Sequence, residues 1–303
     1  MKVLIVGLGS IAAKHITALK IIDPKTVFYA MRSSVNADSK KGITNVFSFE
    51  DLNTLEIDFA IISNPTSVHK KTIKHLIPKN IPLFIEKPLF STLENEVVLE
   101  EIVNNKITTY VACNLRFLDC LKFAKQYIES KRVNEVNIYC GSYLPDWRPG
   151  IDYKTTYSAN KELGGGVHID LIHEIDYAYW LFGRPQEVNK VFSNKSSLNI
   201  DAYDYANYIL TYATFNANII LNYFRRDPKR TLEIVCDDET ITIDILKNTV
   251  YQNQEIIFTS EKTIIDTYED QLRFFIHEVV AKGNKFNTAN EAYEILKICL
   301  QND

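Results

Sequence analysis

The sequence predicts two domains: residues 1–118 as an α/β domain on a doubly wound parallel sheet, and residues 119–303 as an α+β domain on an antiparallel or mixed sheet. Three observations carry this. Strand and helix signals alternate over roughly the first 115 residues, and the strands are apolar throughout, as in a sheet covered on both faces. After about residue 133, short strands follow one another closely, several turning at Asn or Asp. The length, 303 residues, suits two domains of roughly 100–200 residues better than one.

The elements follow in order. Residues 2–6 are an apolar strand stopped by Gly7. Residues 11–22 repeat apolar side chains at Ile16, Leu19 and Ile22 and stop at Asp23-Pro24, a helix pattern. Residues 27–31 and 59–63 are strands, the second ended by Asn64-Pro65. A helix over 68–76, a strand over 82–85, a helix over 94–104 and a strand over 108–112 complete the first domain. In the second, 136–144 alternates, and 187–193, 205–213, 217–225, 231–236, 240–246 and 255–259 are strand candidates. Helices over 166–182 and 268–300 accompany them, the last open to a break at Gly283. There is no internal repeat, low-complexity tract or flexible linker.

Composition narrows the function. Hydrophobic residues make up 46 % and charged residues 24 %, ordinary for a globular chain. The net charge is -4 with no block of like charge, which argues against nucleic-acid binding by phosphate neutralisation. No apolar run approaches the roughly 20 residues that span a bilayer. The opening run is cut at Gly7-Leu8-Gly9 and does not begin a signal peptide. Five cysteines without a C-x-x-C pair fit neither a disulfide framework nor a zinc site. The expectation is a cytoplasmic protein with buried thiols, no metal, no membrane and no nucleic-acid partner.

Gly7-Leu8-Gly9-Ser10-Ile11-Ala12 is G-x-G-x-x-A between a strand and a helix, the context that marks a dinucleotide-binding turn. Gly7 allows the tight turn, Gly9 lets a pyrophosphate approach the backbone, and Ala12 keeps helix and strand close. The pyrophosphate then lies on the helix N-terminus, against Ser10 and Ile11. About 20 residues further on stand Arg32-Ser33-Ser34, where a binder of NAD usually has an acid for the ribose hydroxyls. An Arg and two hydroxyls suit a 2′-phosphate, so NADP(H) is expected over NAD(H). The other readings of Arg32 are stacking on adenine or plain solvation.

At Glu86-Lys87-Pro88 the chain resembles the Gfo/Idh/MocA oxidoreductases, relatives of glucose–fructose oxidoreductase and inositol dehydrogenase. Gly7-x-Gly9 with His15, Asn64-Pro65-Thr66-Ser67-Val68-His69, Asn114-Leu115-Arg116-Phe117, Gly164-Gly165-Gly166, and Asp170 with His173 carry the same resemblance, in order, over nearly the whole chain. It implies a Rossmann domain followed by a domain with an open, mostly antiparallel sheet that often mediates homodimers or homotetramers. Residues 142–183, with Tyr143-Leu144-Pro145-Asp146-Trp147-Arg148-Pro149, Asp152-Tyr153 and Tyr157-Ser158, look like a subgroup associated with bacterial surface-glycan biosynthesis.

The resemblance also implies the chemistry, which is hydride transfer between a nicotinamide and a secondary alcohol or ketone of a sugar or sugar derivative, nucleotide-linked or not. Lys87 would bind the substrate oxygen and favour the alkoxide, before a Lys-Pro bond that is often cis in relatives. Glu86 would face the cofactor or brace Lys87. His173 would exchange the proton, its ordinary pKa being near neutral. Asp170, three residues earlier on one helix and on the same face, would orient it or bind substrate; the family's commoner spacing is four. His168 is the competing base. Asn64, Pro65 and His69 would line the nicotinamide side. Arg116 suits substrate or structure. Tyr143, Trp147, Tyr153 and Tyr157 read as core or interface aromatics or as a sugar platform, and Arg148 as an anion partner. Two other functions remain on this fold: a redox-assisted lyase or glycosidase that recycles its cofactor, and a non-catalytic nucleotide-sensing regulator.

Overall fold

In the computed structural model, which describes residues 1–34 and 36–300, contacts divide the chain into two units. One comprises Met1–Cys113 and Tyr268–Leu296, the other Asn114–Thr267 and the residues from Lys297. The second domain therefore does not run unbroken from 119 to 303, because residues 268–296 belong with the first.

The first unit begins with β1 (Lys2–Val6), α1 (Ser10–Ile22), β2 (Val27–Met31), β3 (Ile43–Val46) and β4 (Phe59–Ile62). It continues with α2 (His69–Leu76), β5 (Leu83–Glu86), α3 (Glu96–Asn104) and β6 (Thr109–Ala112). The six strands are parallel in the order β3-β2-β1-β4-β5-β6. The order reverses beside β1, which is where open α/β sheets bind ligands at their C-terminal edges. Ala60, Ile61, Leu83 and Phe84 are wholly buried, matching their continuous apolar sequence. β3 escaped the sequence reading because Ile43-Thr44-Asn45-Val46 is short and half polar.

The second unit carries α4 (Asp119–Tyr127), β7 (Val133–Tyr143), α5 (Val167–Asp170) and α6 (His173–Phe182). β8 (Glu187–Ser193), β9 (Tyr205–Thr211), β10 (Asn216–Asn222), β11 (Phe224–Cys236), β12 (Thr240–Asp244), β13 (Thr249–Gln252) and β14 (Glu255–Thr259) follow. The sheet order is β14-β13-β12-β11-β7-β10-β9-β8, with β7 and β10 parallel and every other pair antiparallel. The Arg116 guanidinium donates to Asp176 on α6 through two nitrogens, at 2.9 and 2.7 Å, both side chains being buried. Arg230 on β11 donates to the buried Glu174, also on α6, at 2.6 Å.

The chain ends with α7 (Thr267–Phe274), a π-helical turn over Phe275–Val280, and α8 (Ala289–Leu300). Phe275 sets its ring against Phe59, Phe84 and Tyr110 of the parallel sheet, with centroids 5.2 to 5.8 Å apart. The Val111 N–H donates to the Asn287 carbonyl at 2.8 Å, and the Asn287 side chain donates back to the Val111 carbonyl. The open edge of β6 is thus covered, and an uncovered edge is a liability. No helix among the described residues is long and apolar enough to cross a membrane.

Candidate active site

The first unit supplies a turn shaped for a dinucleotide. Gly7 has φ +97°, and a Cβ there would lie 2.5 Å from the Asn64 nitrogen, so only glycine fits between β1 and the segment after β4. Ser63 Oγ donates to the Gly7 carbonyl at 2.9 Å and fixes this approach. Gly9 is different: it caps α1 in an extended conformation, and a Cβ on it would meet no atom of the described residues within 4 Å. The first turn of α1, from Ser10 and Ile11 onward, has no side-chain cap and no acid. Its N–H groups face an open cradle, which suits an anion. Asn64 donates through Nδ2 to Thr72 Oγ1 at 2.8 Å, while its buried Oδ1 has no partner among the described residues. The site therefore fits a dinucleotide.

At the end of β2 the Arg32 guanidinium donates to the Asp38 carbonyl at 2.8 Å and to Asn45 Oδ1 at 3.3 Å. Ser33 and Ser34 are exposed. Lys40, which no motif marks, donates to the Leu8 carbonyl inside the glycine turn at 3.4 Å. Pro65 leads into a short turn, and His69 opens α2 with both ring nitrogens against carbonyls, Asn64 at 3.0 Å and Leu89 at 3.1 Å. Burial holds the His69 pKa below the ordinary value. His69 is thus buried, with both ring nitrogens against the carbonyls of two loops.

Glu86 ends β5, and the Lys87-Pro88 bond that follows is cis. One Glu86 oxygen lies 2.6 Å from the Nε2 of buried His15, and the other accepts the Lys87 N–H at 3.3 Å. Glu86 thus touches both His15 and the Lys87 backbone, and His15 gains a partner that sequence spacing did not disclose.

The second unit carries the remaining candidates. Asp170 and His173 do not share one helix: α5 ends at Asp170, Leu171 leaves helical geometry at φ -100° and ψ 30°, and α6 begins at His173. The break follows the tightening of the chain from an i−4 to an i−3 bond at Ile172. The inference that both face one way because they share a helix therefore fails. Tyr223, between β10 and β11, donates to Asp170 Oδ2 at 2.6 Å and meets the Trp147 ring edge-on, centroids 5.2 Å apart. Asn222 and Tyr223 are both buried in the structure, which interrupts the alternation of a strand first read as 217–225; nothing in the sequence marked Tyr223.

The aromatic segment is well tied. Trp147 donates to Ser142 Oγ at 2.9 Å, Tyr153 to the Leu198 carbonyl at 3.0 Å, and Tyr157 to the Gly164 carbonyl at 2.7 Å. A Cβ on Gly165 would sit 1.9 Å from the Tyr157 carbonyl, so the glycine run makes room for this segment. Arg226 lies 3.8 Å over the Tyr143 ring. Arg148 is exposed. Trp147, Arg148, Tyr153 and Ser158 line a cleft of about 10 Å³, room for a water but not a sugar. Arg116 is 2 % exposed and its two-point bond to Asp176 makes it structural. His168 packs against Phe192 and Tyr203, and burial pushes its pKa down to about 4, which removes it as a base near neutrality.

Comparison with known proteins agrees with the fold. The family model for oxidoreductases with an NAD-binding Rossmann fold matches residues 1–111, and that for the GFO/IDH/MocA C-terminal domain matches residues 121–242. Myo-inositol 2-dehydrogenase of Thermotoga maritima is 25 % identical over 208 residues, 65 % of this chain and 59 % of that protein. The scyllo-inositol 2-dehydrogenase (NAD(+)) of Bacillus subtilis is 27 % identical over 174 residues, 56 % of this chain and 48 % of that one. The matched region thus spans about half the length of these relatives. Among solved structures, levoglucosan dehydrogenase in complex with NADH superposes with a TM-score of 0.86 at 16 % identity, covering 99 % of this chain and 95 % of that one. UDP-N-acetylglucosamine 3-dehydrogenase of Acidithiobacillus ferrooxidans gives 0.79 at 18 % identity, covering 99 % and 96 %. With both family models matched in order around a β5 edge that ends in Glu86-Lys87-Pro88, the chain belongs to the Gfo/Idh/MocA oxidoreductase family.

Proposed function

We propose that the protein is a dinucleotide-dependent dehydrogenase or reductase acting on a CH–OH group of a sugar or sugar derivative, with NADP(H) preferred over NAD(H). The observation that carries this is the open cradle at Gly9 on the same sheet edge as the braced Lys87. A nicotinamide bound there supplies the carbon that gives or takes the hydride. The Lys87 ammonium binds the substrate oxygen and lowers the cost of its developing negative charge. His173 holds or returns the hydroxyl proton. Asp170, restrained by Tyr223, fixes the imidazole or a substrate hydroxyl.

Arg32, Lys40, Ser33 and Ser34 supply the cations and hydroxyls for a 2′-phosphate; Arg32 need only exchange its carbonyl and amide acceptors. A nucleotide-linked sugar is in keeping with the neighbour from A. ferrooxidans, whose name gives a UDP-sugar as substrate. The face of the larger sheet that carries exposed Val191 and Ile209 is the surface assigned to association of copies as a dimer or tetramer.

The test is titration of the purified protein with NADPH and NADH, followed by turnover of a panel of sugars and nucleotide sugars. Tighter NADPH binding is expected. Lys87→Ala is expected to bind the dinucleotide within about 3-fold of wild type while turnover falls by about 10²-fold or more. Binding of neither dinucleotide would overturn the reading. A dinucleotide that copurifies, does not exchange and shows no net redox change during turnover would assign the recycling lyase or glycosidase instead.

A further inference from the structure

We infer that His15 is a positioning residue that ties the phosphate-binding helix to the Lys87 edge through the Glu86 carboxylate. The role of Lys87 rests on the oxidoreductase reading above; the linkage itself rests on geometry within one unit. His15 lies five residues beyond Ser10 on α1, about 7.5 Å along the axis from the helix end that faces the cradle. It is 0 % exposed, and burying an imidazole among apolar groups is costly unless it is bonded. Its Nε2 lies 2.6 Å from Glu86 Oε1, at the short end for a nitrogen donating to a carboxylate. Its Nδ1 has no partner among the described residues, so the bond to Glu86 is the polar contact that accounts for a histidine here.

Packing alone does not. The ring sits edge-on to Phe84 and Tyr268, with centroids at 5.0 and 5.6 Å, surroundings that a phenylalanine would fill as well. What phenylalanine lacks is the donor. The second Glu86 oxygen accepts the Lys87 N–H at 3.3 Å. One carboxylate thus holds α1 by one oxygen and the Lys87 backbone by the other. The Glu86 side chain is 12 % exposed, so without His15 its Oε1 loses this donor at a mostly buried place, and the carboxylate shifts and releases the Lys87 amide. An anion drawing on the N-terminus of α1 therefore acts on Lys87 through a path of two hydrogen bonds.

The experiment compares wild type, His15→Phe, His15→Gln, Glu86→Gln and the double variant. The first readout is the rate at which acetic anhydride labels Lys87, followed by peptide mass spectrometry with and without NADPH or NADH, exposed Lys154 serving as internal reference. The second is kcat and KM for whichever substrate turns over, and thermal midpoint is recorded throughout.

His15→Phe is expected to change the Lys87 labelling rate by about 3-fold or more relative to Lys154 and to lose its response to dinucleotide. Dinucleotide affinity stays within about 3-fold, and kcat falls by about 10-fold or more with KM little changed. His15→Gln, which keeps a donor near Nε2, restores the response. Glu86→Gln, close in shape and checked by its thermal midpoint, reproduces the loss, and the double variant is no worse than the worse single. Unaltered Lys87 labelling in both His15→Phe and Glu86→Gln would overturn the linkage, as would additive losses in the double variant. The labelling of free protein decides the linkage even if wild type binds no dinucleotide, a result that would sink only the oxidoreductase reading.

Discussion

Asp170 shows how much a single hydrogen bond decides. Its carboxylate accepts from a tyrosine whose phenol is pushed well above its usual value, by burial first and by Asp170 itself second, so Tyr223 stays a donor throughout the working pH range. A bond to a charged group is worth about 1.5–3 kcal/mol. Tyr223→Phe is therefore expected to cut kcat/KM by about 10- to 100-fold, at 1.4 kcal/mol per decade, with NADPH and NADH affinity unchanged. Steady-state kinetics beside a dinucleotide titration checks it; loss of cofactor binding instead would make Tyr223 a folding residue. At this scale the sequence disclosed groups whose chemistry is local. Gly7 is legible because a tight turn depends on near neighbours, whereas Lys87 was marked by the family resemblance at Glu86-Lys87-Pro88. Tyr223, the partner of His15 and Lys40 were not, since each meets its contact 32 or more residues away and no periodicity marks such a meeting.

Elements were legible where apolar runs were long. β1, β2, β8 and β14 fall where the pattern put them, whereas β3 and β13 are four-residue strands without a clear period. The break between α5 and α6 was hidden because Leu171 and Ile172 continue an apolar stripe that a helix would also show. α6 is held instead by charge, through Asp176 with Arg116 and Glu174 with Arg230. Removing one member of such a pair strands the other in the core. Arg116→Ala is expected to lower the unfolding free energy of its unit by about 3–5 kcal/mol, read by denaturant titration with a probe in residues 114–267. A change under about 1 kcal/mol would show that water reaches Asp176 and replaces the guanidinium.

For the molecule as a whole, two buried histidines set an acid limit. Burial pushes His168 down to about 4 and lowers His69 as well. Below pH 6.5 the unfolded chain takes up protons at these positions before the folded chain does, at His168 down to about pH 4, so stability is full above pH 6.5 and declines as pH falls. His168 alone contributes about 3 kcal/mol across that window. The urea midpoint is expected to drop steadily from pH 7 to 4, and His168→Phe to flatten the slope; an unchanged slope would place the proton uptake elsewhere. Two units were legible at this scale from the change of period near residue 133. The return of residues 268–296 was not, because Phe275 and Asn287 look like any helix and turn until their partners in the sheet are known.

That return also fixes an order of events during synthesis. The strands of the nucleotide unit emerge first, but Phe275 and Asn287 are made only after about 150 intervening residues, roughly 10–30 s later at ribosomal speeds. For that interval the nascent chain carries the Phe59, Phe84 and Tyr110 rings and the β6 edge without their covering. A ribosome-bound chain stopped before residue 268 should accordingly recruit chaperones and resist neither protease nor self-association, while the intervening unit, complete but for its final turn, folds ahead of the one that precedes it.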